Sequence, residues 1–313
     1  MQNIAAKTIK RIKKVKRPVI RPCPCAVHHL SCDYVVISHI LGCPYDCSYC
    51  FLHTFYGKDE IVVYDNEADI IAQLSDYMRT AEKPLRIGTG EFSDSLALDK
   101  ETGLSRRLIE FFAGQDRHLL ELKTKSAEVD HLLDLDHKGK TVFAWSVNPE
   151  KIVKSDESGS VSLPERLAAA KRCVEVGYPV AFHYDPIIFY SGWDRDYKEV
   201  VDLIFSEIDP EHIAWISLGA LRFHPDLKNI IEERFPHSRI TFGELEVGED
   251  GKMRYFKPIR IEIFKKMQEF IRSYSKEVYV YLCMENSDMW KAAGIENSKS
   301  NRFQRCFRFF AKA

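Results

Sequence analysis

Between residues 34 and 221 the chain repeats one pattern, a strand-length apolar run followed by a longer stretch of helical period. The apolar runs lie at 34–42, 84–90, 118–125, 141–148, 179–188 and 213–221, and the helical stretches at 66–82, 104–114, 127–139, 162–178 and 193–208. Several helix ends are signalled locally: Asn66 precedes the first, Gly114 closes the second, and Ser162 opens the fourth with Pro164 and Glu165 in its first turn. Parallel strands need a crossover between each pair, so about six such repeats predict an α/β fold, a partial (β/α)6 barrel with its helices outside. In such barrels the chemistry gathers at the C-terminal ends of the strands. Residues 1–33 read as a basic, cysteine-containing arm, 34–222 as the barrel and 223–313 as a C-terminal extension. The extension shows a turn at Glu249-Asp250-Gly251, a helix over about 259–275 and a last strand over 277–285.

The first strand delivers GCPYDCSYCF, residues 42–51, which spaces Cys43, Cys47 and Cys50 as C-x3-C-x2-C. No apolar run approaches the ~20 residues of a membrane span, and the basic N-terminus lacks the apolar core of a signal peptide. A cytoplasmic location is therefore expected, where clustered cysteines are metal ligands or core thiols rather than disulfides. Three thiolates are one short of the usual four. They hold three irons of a [4Fe–4S] cluster and leave the fourth open, or they form a closed zinc site with His53 as the fourth ligand.

The spacing, with the aromatic Tyr49 before the last thiol, resembles the radical S-adenosylmethionine (SAM) superfamily. The resemblance implies a [4Fe–4S] cluster whose open iron is chelated by SAM, reduced by a one-electron donor such as flavodoxin or ferredoxin. It also implies that Gly90 and Glu91, in the GTGE ending the second strand, receive the SAM ammonium, and that Tyr49 lies near the adenine. Five ordered segments narrow it: CSYCFL leading to VVYDN, TKSAEVDHLLDLDHKGKTVFAWSVN, PERLAAAKRCVEVGYPVAF, PIIFYSGW and LRFHP. Together, over about residues 34–282, they resemble the spore photoproduct lyase family, DNA-repair enzymes that reverse an ultraviolet thymine lesion by radical chemistry. The resemblance implies that Lys125 and Ser146 contact SAM, with Asn148 as a neighbour. Asp185 stands where that family has a small residue, either reaching the ribose hydroxyls or capping the loop before Pro186. His183 reads as a satisfied strand histidine.

Two departures concern the return of a hydrogen atom to the product. The family's cysteine after the second strand is absent from GEFSDSLALD, where Glu91, Phe92, Ser93 and Asp94 stand, and Phe51 replaces a tyrosine just after the cluster motif. The catalytic candidates are Glu91 and the thiols Cys173 and Cys283, with Cys173 reading as a core thiol of an amphipathic helix. Cys23, Cys25 and Cys32, with His28 and His29 nearby, could join Cys283 in an auxiliary metal site or remain free thiols.

Partners follow from charge. The chain's formal net charge is −1, yet residues 1–21 carry eight basic residues and no acid, so +8 on the arm leaves −9 for the rest. Basic arms contact nucleic-acid phosphates or fray into solvent. In KMRYFKPIR, residues 252–260, Lys252, Arg254, Tyr255, Lys257 and Arg260 combine charge with stacking rings and are candidates for gripping UV-damaged DNA. The reading is a monomeric lyase of spore photoproduct type. The alternatives are a radical SAM enzyme on another nucleic-acid or small substrate, and a non-catalytic zinc-dependent nucleic-acid binder.

Overall fold

The computed structural model describes residues 7–13, 18–55 and 60–295. Its principal sheet has eight strands: β1 (Ile20–Pro22), β2 (Tyr34–Ile37), β3 (Arg86–Gly88), β4 (Leu119–Thr124), β5 (Thr141–Ser146), β6 (Val180–Ile187), β7 (Ile213–Ala220) and β8 (Val280–Leu282). Their order in space is their order in sequence. All pairs from β2 to β8 are parallel, and β1 runs antiparallel along β2. The helices that cross between them include α1 (Glu67–Thr80), α2 (Leu104–Ala113), α3 (Leu163–Glu175) and α4 (Trp193–Glu207); α5 (Pro225–Arg234) and α6 (Lys257–Tyr274) follow. The strands read as continuous apolar runs because both faces are covered, with β7 buried at every position. Ser162 caps α3 in a full capping box with Glu165.

The sheet is curled into a half-barrel. Arg86 on β3 donates to the Tyr281 hydroxyl on β8 at 3.0 Å, although four strands separate them. The same guanidinium lies over the rings of Tyr34, Trp215 and Tyr281. Glu121 on β4 forms an ion pair with Arg86 Nε at 3.3 Å and accepts from His183 Nε2 at 2.7 Å, and His183 Nδ1 takes the Ser217 hydroxyl at 2.9 Å. These inward-facing groups fill the floor of the half-barrel, and His183 is fully partnered there.

Burial alone would raise the Glu121 carboxyl, but Arg86 and His183 outweigh it and hold it down to about 2. A depressed acid stabilises the fold above its unfolded value and ceases to do so as pH falls through the folded value. Stability should therefore fall between pH 4.5 and about 2. In Glu121→Gln that part of the acid limb should flatten; an unchanged limb in urea titrations would remove Glu121 from the account.

Three expectations change. The stretch 127–139 holds only a short 3-10 turn, Asp130–Leu132. The carbonyls a helix would need go elsewhere: Arg172 takes that of Ala127, Arg106 that of His131 and Tyr178 that of Leu132. The basic arm is not wholly a free tail, because Thr8–Ile12 is a strand paired in parallel with Glu60–Tyr64. The proposed divisions at 33 and 222 cut through one sheet, since β1 and β8 both belong to it. In the extension, Leu245–Val247 and Met253–Tyr255 form the hairpin around Gly251, and Arg222–Phe223 pairs on its other side. Among the described residues no helix is long and apolar enough to cross a membrane.

Candidate active site at the strand ends

The three-cysteine loop leaves the C-terminal end of β2 and is fixed at its base and its middle. Ile40–Leu41 pairs antiparallel with Glu60–Tyr64, and Cys47 pairs with Glu157 in a two-residue ladder. Gly42 turns the chain at φ 96°, where a Cβ would meet the Glu60 carbonyl at 3.0 Å. The Cys50 N–H donates to the Cys47 carbonyl at 3.0 Å. His53 is spent on holding the loop: Nε2 donates to the Cys47 carbonyl at 2.8 Å and Nδ1 accepts from Arg234 of α5 at 2.8 Å. Arg234 also reaches both Asp46 oxygens, at 3.3 and 3.2 Å. With both ring nitrogens engaged, His53 has no lone pair for a metal, and the Cys3His zinc reading loses its fourth ligand.

Beside the thiols lies a buried polar group. Lys125, just past β4, places its ammonium 5.7 Å from the Tyr49 ring centre. Burial disfavours its charge, but Cys47 and Glu157 outweigh burial and raise its pKa. Tyr49 donates to Glu157, and Glu157 also accepts from Arg166 at 2.6 Å and Asn148 Nδ2 at 2.9 Å. The Asn148 carbonyl oxygen accepts from Tyr197 at 2.6 Å, so both ends of that amide are anchored to the scaffold. Ser146 is on β5, and its carbonyl accepts from Arg166 at 2.9 Å. Phe51 is partly exposed, edge-on to Phe55 and to Phe92.

At the end of β3, Gly90 packs against β4 so closely that a Cβ would lie 2.8 Å from that of Lys123. Glu91 accepts from Arg21 at 3.0 Å; burial is the main cause of its raised pKa. Asp94 accepts from the Thr124 hydroxyl and the Lys125 N–H, both at 2.6 Å, and so ties this loop to β4. Asp185, at the end of β6, neither caps a loop nor stands free. Its two oxygens accept from Arg222 at 2.8 and 3.1 Å, and the same guanidinium reaches Cys283 Sγ at 3.4 Å. Cys283 thus sits at the end of β8 among the rim residues. Cys173 does not: it is buried in α3, next to Arg172, on the outer side of the sheet, and cannot be a site thiol.

The middle of the basic segment is internal. Tyr255 is 0% exposed, its hydroxyl accepting the Phe189 N–H at 3.0 Å. Arg254 is bound to Asp250 at 3.0 Å, Arg260 to Glu285 at 2.6 Å, and Lys252 Nζ lies 3.7 Å from Asp250. Arg254 and Tyr255 are therefore scaffold residues rather than DNA contacts, because Asp250 and Glu285 neutralise what the local sequence presents as free charge. Lys257, beside the half-exposed Phe256, remains outside. Tyr255→Phe should cost about 1–3 kcal/mol in urea unfolding by stranding a buried N–H, with DNA affinity unchanged. Lys257→Ala should instead leave stability intact and lower the salt dependence of DNA binding by about one phosphate contact. The reverse pattern would restore Tyr255 to the interface.

Among the described residues no three His, Cys, Asp or Glu side chains converge on a single ion. A four-iron cube takes each thiolate at a separate corner, so Cys43, Cys47 and Cys50 need no such convergence. An auxiliary ion at Cys23, Cys25, Cys32 and Cys283 would need it. Cys23 and Cys25 lie 4.0 Å apart, sulfur to sulfur, as free thiols.

The family model for spore photoproduct lyase matches residues 27–285. The chain belongs to the spore photoproduct lyase family. It is 33% identical over 218 residues to the spore photoproduct lyase of Bacillus subtilis (strain 168), covering 68% of this chain and 64% of that one. Over 241 residues it is 32% identical to that of Geobacillus sp. (strain Y412MC61), covering 74% and 70%. So the chain spans about two thirds of the length of these relatives. A solved spore photoproduct lyase mutant with bound AdoMet and dinucleoside spore photoproduct superposes with TM-score 0.76 at 30% identity, over 87% of this chain and 82% of that one. A Streptococcus suis protein bound to S-adenosylmethionine shares the fold alone, with TM-score 0.51 at 14% identity. The residues sequence reasoning missed in this member of the lyase family are the cations Arg166, Arg222 and Arg234, and Lys7 was read only as part of a basic arm. Arg166 had a signal, since it shares the buried i, i+3, i+4, i+7 stripe with Leu163, Leu167 and Ala170.

Proposed function

We propose that this chain is a radical SAM lyase that reverses the spore photoproduct in DNA. The observation that carries the reading is the loop of Cys43, Cys47 and Cys50, held at the strand ends of a half-barrel with the Lys125 ammonium against it. The donor set fits an anionic iron–sulfur cluster. Burial pushes both the Cys47 and the Cys50 thiols up; Lys125 works against it at each, and the Leu52 N–H and Lys7 also do so at Cys50. When bound, the cluster and SAM supply a 5′-deoxyadenosyl radical that takes a hydrogen atom from the lesion.

The chain's own residues do the rest. Cys43, Cys47 and Cys50 hold the cluster. Tyr49, fixed by Glu157, presents its ring beside the nucleoside. Gly90 opens the backbone at the end of β3, and Glu91 offers the SAM ammonium the oxygen that Arg21 leaves free. Lys125 faces the SAM carboxylate, and Ser146 offers a hydroxyl at the end of β5. Asp185 and Arg222 act as a pair at the rim, and Phe51 with Phe92 gives the lesion an apolar edge. Of the candidate thiols, Cys283 at the end of β8 returns a hydrogen atom, and burial, its main influence, keeps it protonated. Lys257 contacts DNA, and a flavodoxin- or ferredoxin-like donor supplies the electron.

The test is anaerobic. The reconstituted, reduced protein is given SAM with and without a spore-photoproduct dinucleotide, and 5′-deoxyadenosine and thymine are measured by mass spectrometry. Conversion of the lesion with SAM turnover is expected. SAM cleavage with an intact lesion, in dinucleotide and duplex alike, would leave a radical SAM enzyme with a different substrate.

A further inference from the structure

The N-terminal segment leads to the three-cysteine loop. Lys7 Nζ donates to the carbonyl oxygens of Cys43 at 2.7 Å and Tyr45 at 3.2 Å. Thr8–Ile12 brings it there, paired from Thr8↔Glu60 to Ile12↔Tyr64. The other edge of Glu60–Tyr64 pairs with Ile40–Leu41, which ends two residues before Cys43. One three-stranded sheet therefore joins the way into the loop, the way out of it and the N-terminal segment.

Of the other described cations of this segment, Lys13 is exposed and three are matched by anions. Lys10 lies 3.4 Å from Glu60, Arg11 3.2 Å from Asp65, and Arg21 is bound to Glu91. Among the described residues no carboxylate stands within ion-pair distance of Lys7, whose partners there are the two loop carbonyls. A partly buried ammonium with no counter-anion, fixed on two carbonyls of a thiolate loop, is placed to serve an anion that the loop itself carries.

We propose that Lys7 is a positioning residue of the cluster loop: it fixes the Cys43–Tyr45 backbone and raises the reduction potential of the cluster on Cys43, Cys47 and Cys50. This rests on the radical SAM reading. Reduction adds one negative charge to the cluster, and a nearby fixed cation stabilises that state more than the oxidised one.

The experiment compares the full-length wild type, Lys7→Gln and Lys7→Arg. Midpoint potentials are read by EPR-monitored redox titration of the reconstituted proteins, and amide exchange over residues 43–50 is read on the cluster-free proteins. Lys7→Gln should shift the potential to more negative values and speed exchange in the loop, and Lys7→Arg should restore both. A potential in Lys7→Gln equal to that of the wild type would overturn the proposal, whatever the exchange shows. If the wild type takes up no [4Fe–4S] cluster, the radical SAM reading itself fails. In that case equal exchange in the apoproteins would also remove Lys7 as a loop anchor.

Discussion

Cys47→Ala should remove the iron–sulfur chromophore and SAM cleavage together, with iron falling from about four per chain toward zero. Cys47 is the most enclosed of the three thiols, in register with Glu157 and beside Lys125. An alanine there leaves one corner of the cube without a ligand and the Lys125 ammonium without its anion. The side chain is small and the loop is held independently by His53 and Arg234, so the chain should still fold. Iron and sulfide analysis, the EPR signal of the reduced protein and 5′-deoxyadenosine release would be measured on one preparation. SAM cleavage surviving in the variant would end the assignment of these thiols to the cluster.

Arg166→Leu should lower stability by roughly 3–5 kcal/mol, because removing one member of a buried ion pair strands the other's charge. Both side chains are 0% exposed and 2.6 Å apart. Burial alone would raise the Glu157 pKa; Arg166 first, then Lys125, brings it below its ordinary value. Without Arg166, Glu157 must take up a proton or break from Tyr49 and Asn148. The double variant Arg166→Leu with Glu157→Gln should recover much of the loss. Urea unfolding of the cluster-free proteins measures both. A cost under about 1 kcal/mol for the single change would mean that water reaches the pair.

The repeating strands were legible because their code is local and redundant: continuous apolar runs, helix caps and loop glycines all agree. The three-cysteine loop was legible for a different reason, since its chemistry lies within eight residues of sequence. What misled were segments whose partners are distant. The run Val129, Leu132, Leu133 and Leu135 has helical spacing, yet Arg106, Arg172 and Tyr178 take the carbonyls of that segment. Arg254 and Arg260 read as free charge until Asp250 and Glu285 are brought alongside. Lys7 and Arg11 read as a nucleic-acid arm because nothing near them in sequence announces the strand Glu60–Tyr64. The calculation of charge along a sequence finds cations; which of them are already spoken for is decided by tertiary pairing.

The filled floor of the half-barrel imposes an order of events. Arg86, Glu121, His183 and Trp215 close the lower end, so whatever occupies the layer of Gly90, Lys125 and Ser146 comes and goes across the rim. On the proposed function, a small molecule seated deep is then covered by a polynucleotide lying over the mouth. Binding becomes sequential, with the nucleoside entering first and its remnant departing last. On the same reading, repaired DNA bound to free enzyme would be a dead-end inhibitor that bars the nucleoside from entering, and repaired DNA still in place after turnover would hold the spent nucleoside in until it leaves.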